Sequence, residues 1–166
     1  MKKIEIVPIG VVRADEARGS YRLEIAEPYR EGLLALEGFG RVQVLWWAQG
    51  VDEPKMRGTL SCELPYAPGT RAGVFACRAE YRPNPLGLTA CGILSVDRAA
   101  GLVELDYVDA LDGTPLVDLK PYIPVCDRCR EARVPEWLSR WPEWLEEAGA
   151  FFSAEDAPRT GRPGER

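Results

Sequence analysis

A chain of 166 residues can form one domain with a buried core, and its 46% hydrophobic and 28% charged fractions are those of an ordinary globular protein. No run of about 18 apolar residues occurs, which excludes a membrane-spanning helix, and a net charge of −5 gives no overall electrostatic footprint for nucleic acid. The absence of histidine excludes Ser–His and Cys–His catalysis and histidine-ligated metal, leaving proton transfer to carboxylates, Lys, Tyr, Cys or the substrate itself.

The opening Met-Lys-Lys-Ile-Glu-Ile-Val-Pro carries a charge within its apolar stretch and no cleavage pattern, so a cytoplasmic address without a signal peptide is expected. The five cysteines should then be reduced thiols. Ile4 to Arg13 alternates loosely and predicts a first strand, with Pro8 at a bulge or edge. Ala14 to Gly19 reads as a polar loop. Tyr21 to Ala26 sets Tyr21, Leu23 and Ile25 against Arg22 and Glu24, a second strand with one wet face.

Pro28 opens a short helix with Tyr29, Leu33 and Leu36 on one face and Gly38 at its end. Arg41 to Gln49 is the most strand-like run; Trp46 and Trp47 point to opposite faces, one into the core and one toward a pocket or interface. Met56 to Leu64 predicts a strand, Tyr66-Ala67-Pro68-Gly69 a turn, and Ala72 to Cys77 another strand. Ala90 to Arg98 and Leu102 to Val108 predict a hairpin around Ala99-Ala100-Gly101, with Val103, Leu105 and Tyr107 facing one way.

Many short strands with long polar connections predict a mostly-β closed or partly closed sheet. After Tyr122 the character changes. Trp137, Leu138, Trp141, Trp144 and Leu145 recur at helical spacing between Pro135 and Ala148, with Pro142 as a break. The expected organisation is a β-barrel domain over residues 1–125, a Trp-rich helical extension over 126–152, and a disordered Pro/Gly-rich tail over 153–166.

Two stretches carry more than structure requires. In the first, Pro83 and Pro85 fix their own φ angles and hold Arg82 and Asn84 extended, with Gly87 free to turn or approach a ligand. In the second, the turn Asp112-Gly113 is followed by Thr114-Pro115, Asp118, Lys120, Pro121 and Tyr122. A loop so stiffened has already lost the entropy it would otherwise lose on gripping a ligand. Lys55, Arg57, Arg71, Arg78 and Arg82 gather in sequence around the first loop, a modest basic patch able to hold a few phosphates or simply a solvated face. Cys126-Asp127-Arg128-Cys129 invites a zinc or redox reading, but one pair supplies two ligands and no histidine completes them, so two ordinary thiols and no metal are expected.

The words in these stretches, G-V-F-A-C-R-A-E-Y-R-P-N-P-L-G-L-T and D-A-L-D-G-T-P-L-V-D-L-K-P-Y, resemble the TsaA/TrmO-like family of S-adenosylmethionine-dependent tRNA methyltransferases. The likeness runs from I-G-V-V-R near the start to Pro124. It implies a small antiparallel β-barrel that works as a homodimer, with S-adenosylmethionine bound near the interface, and methyl transfer to N6 of threonylcarbamoyladenosine beside the tRNA anticodon. By motif position it places Gln49, Gly50, Arg78, Leu88, Asp106, Tyr107, Val108 and Asp109 at the cofactor; Arg82, Asn84, Asp112, Asp118 and Lys120 fall on motif positions without an assigned role, and of these Arg82, Asn84 and Lys120 are the candidates for substrate binding, Arg82 and Lys120 at RNA phosphates or else in exposed ion pairs. Three departures accompany it: a His-Gln pair usual where Ala48-Gln49-Gly50 stands is altered, a Pro-x-Gln segment is absent from Ala14 to Tyr21, and Cys77 replaces Thr. A different, small-molecule acceptor and a non-catalytic module binding the cofactor or RNA are the rival readings.

Displacement at a sulfonium neutralises positive charge in the transition state, so carboxylates such as Asp106 and Asp109 suit the cofactor's hydroxyls better than its sulfur. Arg78 suits the methionyl carboxylate, gripped bidentately, or else an ion pair with an Asp of the second loop. The acceptor nitrogen of a carbamoylated adenine is a poor nucleophile, so loss of its proton to Asp109 or Asp112 would help; for Asp112 the alternative is a turn residue.

Overall fold

A computed structural model describes residues 4–154 and divides the chain into two compact units, Met1–Thr59 with Arg78–Arg128, and Leu60–Cys77 with Cys129–Arg166. The first unit is a closed antiparallel barrel. Its strands are β1 (Gly10–Asp15), β2 (Ser20–Ile25), β3 (Arg41–Trp47), β6 (Leu86–Asp97), β7 (Leu102–Leu105) and β8 (Pro115–Pro121), ordered β1-β2-β7-β6-β3-β8 and back to β1. The mostly-β, closed-barrel expectation is met.

Strict alternation builds the core. On β3, Val42, Val44 and Trp46 are buried while Arg41, Gln43, Leu45 and Trp47 face outward. Val12, Leu23, Cys91, Val103, Leu105 and Leu116 bring the other strands to the same centre. Val108 and Ala110 join them from the β7–β8 connection, so that loop folds back onto the barrel and closes one end. Each side chain of leucine or valine size buried this way contributes roughly 1.5–3 kcal/mol.

Opposite Trp46 on β3 stands Gly87 of β6, and a methyl group there would collide with the indole ring. Gly87 thus lies inside a strand, where the sequence offered a turn or a close approach to a ligand, and its missing side chain is the space Trp46 fills. The indole Nε1 donates to Thr89 Oγ1 at 3.1 Å, so the buried ring has its one polar atom satisfied.

β8 replaces most of the expected second loop. Leu116 pairs with Gly10 of β1 and with Trp46 of β3, and Pro121 with Val42, so this strand seals the barrel. Its two prolines stand at the first and last positions, where a missing N–H disturbs the ladder least. Ile4 to Pro8 are exposed and lie outside the first strand, which begins at Gly10; the Ile9 N–H makes the first bond to β8, at Leu116 C=O, 2.8 Å. Pro8, with no N–H, cannot extend that ladder.

The predicted helix after Pro28 is two 3₁₀ segments, Glu27–Leu33 and Leu36–Gly38, separated by Ala35 at φ 66°. Leu33 and Leu36 are still the residues it buries. Met56 is not in a strand: Pro54–Arg57 forms a single helical turn, α1, started by its proline.

Arg13 and Glu24 lie on the wet face of β1 and β2, where Glu24 accepts from Arg13 Nε at 2.9 Å and from Arg22 Nη2 at 3.0 Å. Those hydrogen bonds, Arg13's first, hold the Glu24 carboxyl below its ordinary value of 4.5. A depressed carboxylate stabilises the fold above its unfolded pKa and loses that contribution as pH falls through the lower folded value. Glu24→Gln should therefore flatten the acid limb of stability below about pH 4.5 while leaving neutral stability nearly unchanged, as thermal melts across pH would show.

In the second unit β4 (Ser61–Glu63) pairs with β5 (Arg71–Gly73), and a 3₁₀ turn Val74–Ala76 follows where a longer strand was expected. The predicted turn over Tyr66 to Gly69 is present, with Gly69 at φ 78°. Leu64, Ala72 and Val74 are buried, and Tyr66, Trp141, Phe151 and Phe152 form a chain of ring contacts, Tyr66 to Trp141 at 5.2 Å. The Trp-rich stretch is not the expected amphipathic helix. It contains isolated 3₁₀ turns, Glu136–Leu138 and Leu145–Glu147, with Trp137 and Trp144 both substantially exposed. Pro135 and Pro142 bound the first of these turns and deny the region continuous helical bonding. Helix α3 comes later, Ala148–Ser153, so Ser153 is helical rather than tail; residues 155–166 of the expected disordered tail lie outside the described residues. A one-turn helix, α2 (Pro124–Asp127), ends the barrel unit.

Candidate functional site

Three connections meet at one end of the barrel: the β1–β2 turn, the points where β3 leaves and β6 enters, and the β7–β8 loop. They are tied to one another by specific bonds. Ala48 N–H donates to Pro85 C=O at 2.8 Å, which clamps the exit of β3 to the Pro83–Pro85 turn. Gln49 Nε2 donates to Gly113 C=O at 3.3 Å, joining that exit to the β7–β8 loop. Asp112 Oδ1 accepts from Ala14 N–H at 3.2 Å, and its other oxygen lies 3.9 Å from Arg13, so the same loop is pinned to β1. Tyr21 and Tyr107 pack edge to face at 5.4 Å, and Tyr107 Oη lies 3.4 Å from Asp109 Oδ1.

Gln49, Gly50, Tyr107, Asp109 and Asp112 are thus exposed residues on one end of the barrel. Val108, between two of them, is buried in the core, so what it can offer a ligand is main chain. Asp106 begins the same loop but serves β6: its N–H donates to Gly92 C=O, and its Oδ1 accepts from Gly92 N–H at 2.7 Å. Arg41 stands 3.9 Å from its other oxygen. A Cβ on Gly92 would strike this carboxylate, so the close approach requires glycine there. Leu88 projects from the outer face of β6 opposite Leu45 and is 44% exposed.

The first loop is held by a group of residues that periodicity alone does not reveal. Trp47 Nε1 donates to Asp52 Oδ2 at 2.9 Å; Arg57 pairs with Asp52 Oδ1 at 3.0 Å and donates through Nε to Pro83 C=O at 3.0 Å. The Arg57 guanidinium also lies 5.9 Å from the Trp47 ring centre. Trp47, the outward member of the Trp pair, therefore braces the Arg82–Asn84 segment. Asp52 was not singled out in the sequence, and Arg57 was read as one cation of a basic patch within a predicted strand rather than as Asp52's partner.

Asn84 is exposed, and its C=O accepts from Leu86 N–H at 2.7 Å. Arg82 is half-buried. Arg78 is exposed, and its side chain makes no hydrogen bond or ion pair with the described residues, so the ion pair with a second-loop Asp is not formed. Lys120 pairs with Asp118 at 3.0 Å on the outer face of β8. It lies five residues beyond Pro115, roughly 16 Å along the strand from the Asp112 loop, so it does not share a first contact with that loop. Of the sequence cluster of cations, Arg57 is neutralised by Asp52, and Arg71 donates to Ser61 Oγ at 2.8 Å within the second unit.

Cys126 and Cys129 are exposed thiols. Among the described residues, no group of three or more His, Cys, Asp or Glu side chains has the arrangement of a metal site, and no helix is long and apolar enough to cross a membrane.

The fold defines a class: a closed six-stranded antiparallel barrel whose loops at one end are bonded to one another. The chain belongs to the family described as the tRNA-methyltransferase O N-terminal domain, whose model matches residues 2–128. It is 35% identical over 155 residues to a probable S-adenosyl-L-methionine-binding protein of Pyrococcus abyssi, covering 92% of this chain and 79% of that protein. It is 29% identical over 123 residues to the tRNA (adenine(37)-N6)-methyltransferase of Escherichia coli, covering 66% of this chain and 48% of that enzyme. A crystal structure of TrmO from Pseudomonas aeruginosa matches with a TM-score of 0.63 and 27% identity, over 82% of this chain and 62% of that one. The chain thus spans less than two thirds of the enzymes that it matches in structure.

Proposed function

We propose that this protein is an S-adenosylmethionine-dependent methyltransferase acting on N6 of threonylcarbamoyladenosine in tRNA, next to the anticodon. The observation that carries the reading is the barrel end itself. Gln49 reaches across to the β7–β8 loop, the loop that holds Tyr107 and Asp109, in a family whose members include the adenine-37 enzyme of Escherichia coli. The residues fit the cofactor chemically. The Arg78 guanidinium, which makes no hydrogen bond or ion pair among the described residues, suits a carboxylate, and exposed Leu88 and Tyr107 offer apolar surface to a purine.

Bound there, S-adenosylmethionine supplies an electrophilic methyl group on a sulfonium. The chain's own part is positional: bonded loops keep their groups fixed, so the acceptor nitrogen is delivered in line without ordering the site afresh. Asp112 is engaged with the Ala14 N–H and Arg13, which makes it the brace of the loop. In this reading Asp109 is therefore the carboxylate that takes the acceptor's proton. Arg82 and Asn84, on the turn braced by Arg57, face the RNA, and Lys120 meets phosphate farther along the barrel wall. The same reading makes the chain a cytoplasmic homodimer with the cofactor near the interface. Leu88 and Leu94, both exposed on β6, are apolar surface such a contact would cover.

Calorimetric titration of the purified chain with S-adenosylmethionine, with ATP as the control, tests the cofactor half. Saturable heat with S-adenosylmethionine alone is expected; equal heats for the two ligands, or none, would remove the proposal's basis.

A further inference from the structure

The second unit contains a feature that methyl transfer does not use. Cys62 on β4 and Cys77, just after the Val74–Ala76 turn, bring their Sγ atoms to 3.9 Å. The backbone arranges this: β4 sets Cys62 opposite Ala72 of β5, and the 3₁₀ turn then bends the chain so that residue 77 returns to the sulfur of residue 62. Both thiols are half-buried. Cys77 Sγ also lies 3.8 Å from Val74 C=O. Tyr66 stands beside them, its hydroxyl pKa raised by burial and by both cysteines. As thiols the pair gains little from this approach, because S–H is a weak donor and sulfur a weak acceptor.

From this geometry we infer that Cys62 and Cys77 form a reversible disulfide. The sulfurs must close from 3.9 Å to about 2.05 Å, a shift within reach of side-chain rotation on two neighbouring backbone segments. The oxidant is a low-molecular-weight disulfide of the glutathione class. One cysteine thiolate attacks it, forming a mixed disulfide and releasing one small thiol. The second cysteine thiolate attacks the protein sulfur of that adduct, forming the Cys62–Cys77 bond and releasing the other small thiol. Two cysteine thiols are oxidised, one small disulfide is reduced to two thiols, and the two S–H protons end on those thiols. The product closes a loop between positions 15 apart and fixes Cys77 to β4, immediately before Arg78 in the chain.

The other cysteines supply internal references. Cys91 is wholly buried in the barrel core, and burial, with Asp106 nearby, pushes its thiol up to about 12, so it stays protonated and unreactive in the folded state. Cys126 and Cys129 are exposed and open to any reagent. The test incubates the full chain with glutathione disulfide, alkylates the remaining thiols, and reads peptides by mass spectrometry without reduction. The expected result is a peptide pair joined through Cys62 and Cys77 with loss of two hydrogens, reversed by dithiothreitol. In Cys62→Ser the cross-link should vanish and Cys77 should persist as a glutathione adduct. Cys62 and Cys77 recovered as alkylated thiols, or as two separate glutathione adducts in the wild-type chain, would overturn the inference.

Discussion

Gly87→Ala should destabilise the barrel by about 2–3 kcal/mol, toward the upper part of the range for overpacked cores. The added methyl falls on the Trp46 ring, and that ring has no alternative place. Trp46 is 4% exposed, is held by Thr89 through its indole nitrogen, and points into a barrel closed on all sides. Relief requires either separating β3 from β6, which breaks the ladder from Arg41↔Gly92 to Trp47↔Leu86, or forcing the indole off its rotamer. For a chain of this size the melting temperature should fall by roughly 4–12 °C. Gly40→Ala is the matched control, because a methyl there meets nothing, and it should melt close to the wild type. A Gly87→Ala protein melting with the control would mean that the Trp46–Gly87 contact is not what shapes this side of the barrel.

Arg78→Ala should weaken S-adenosylmethionine binding by between tenfold and about a hundredfold while leaving the melting temperature unchanged. A hydrogen bond to a charged group is worth about 1.5–3 kcal/mol, and each 1.4 kcal/mol is a factor of ten in affinity. The stability half follows from the structure: Arg78 is exposed and its side chain holds nothing in the described residues, so its loss removes no internal contact. Arg78→Lys should recover only part of the affinity, because an ammonium cannot make the paired, planar contact of a guanidinium with a carboxylate. Calorimetry beside a thermal melt reads both halves. Unchanged affinity in Arg78→Ala would move the carboxylate-binding role to another residue.

How far such effects could be foreseen varies along the chain. Trp46 and Trp47 were legible because alternation in a strand is a hard geometric rule: one is core, and the other turned out to brace a loop. β8 was not legible. Pro115, Asp118, Lys120 and Pro121 read as loop because prolines break ladders and charges favour water, yet the prolines occupy the strand's ends and the Asp118–Lys120 pair sits on its wet side. Local composition described each residue correctly and missed that a closed barrel needs a sixth strand between β1 and β3. The Trp-rich stretch failed in the opposite sense, since helical spacing of apolar residues was present while two prolines withheld the backbone bonds. Motif words pick out Gln49 and Asp109, which are exposed on the barrel-end loops, whereas the Asp52–Arg57–Pro83 brace depends on contacts between segments that no local pattern encodes. For Asp112, the bond that its Oδ1 accepts from Ala14 N–H adds a tie to β1 that the Asp-Gly turn pair does not reveal.

The most direct test of the functional account is transfer of labelled methyl groups from S-adenosylmethionine to tRNA that carries threonylcarbamoyladenosine but lacks its N6-methyl group. The account predicts label in that nucleoside alone, with none in the same tRNA lacking the threonylcarbamoyl group and a large loss in Asp109→Asn. Saturable cofactor binding with no label in any tRNA would contradict it and turn the search to a small-molecule acceptor or a binding role without transfer.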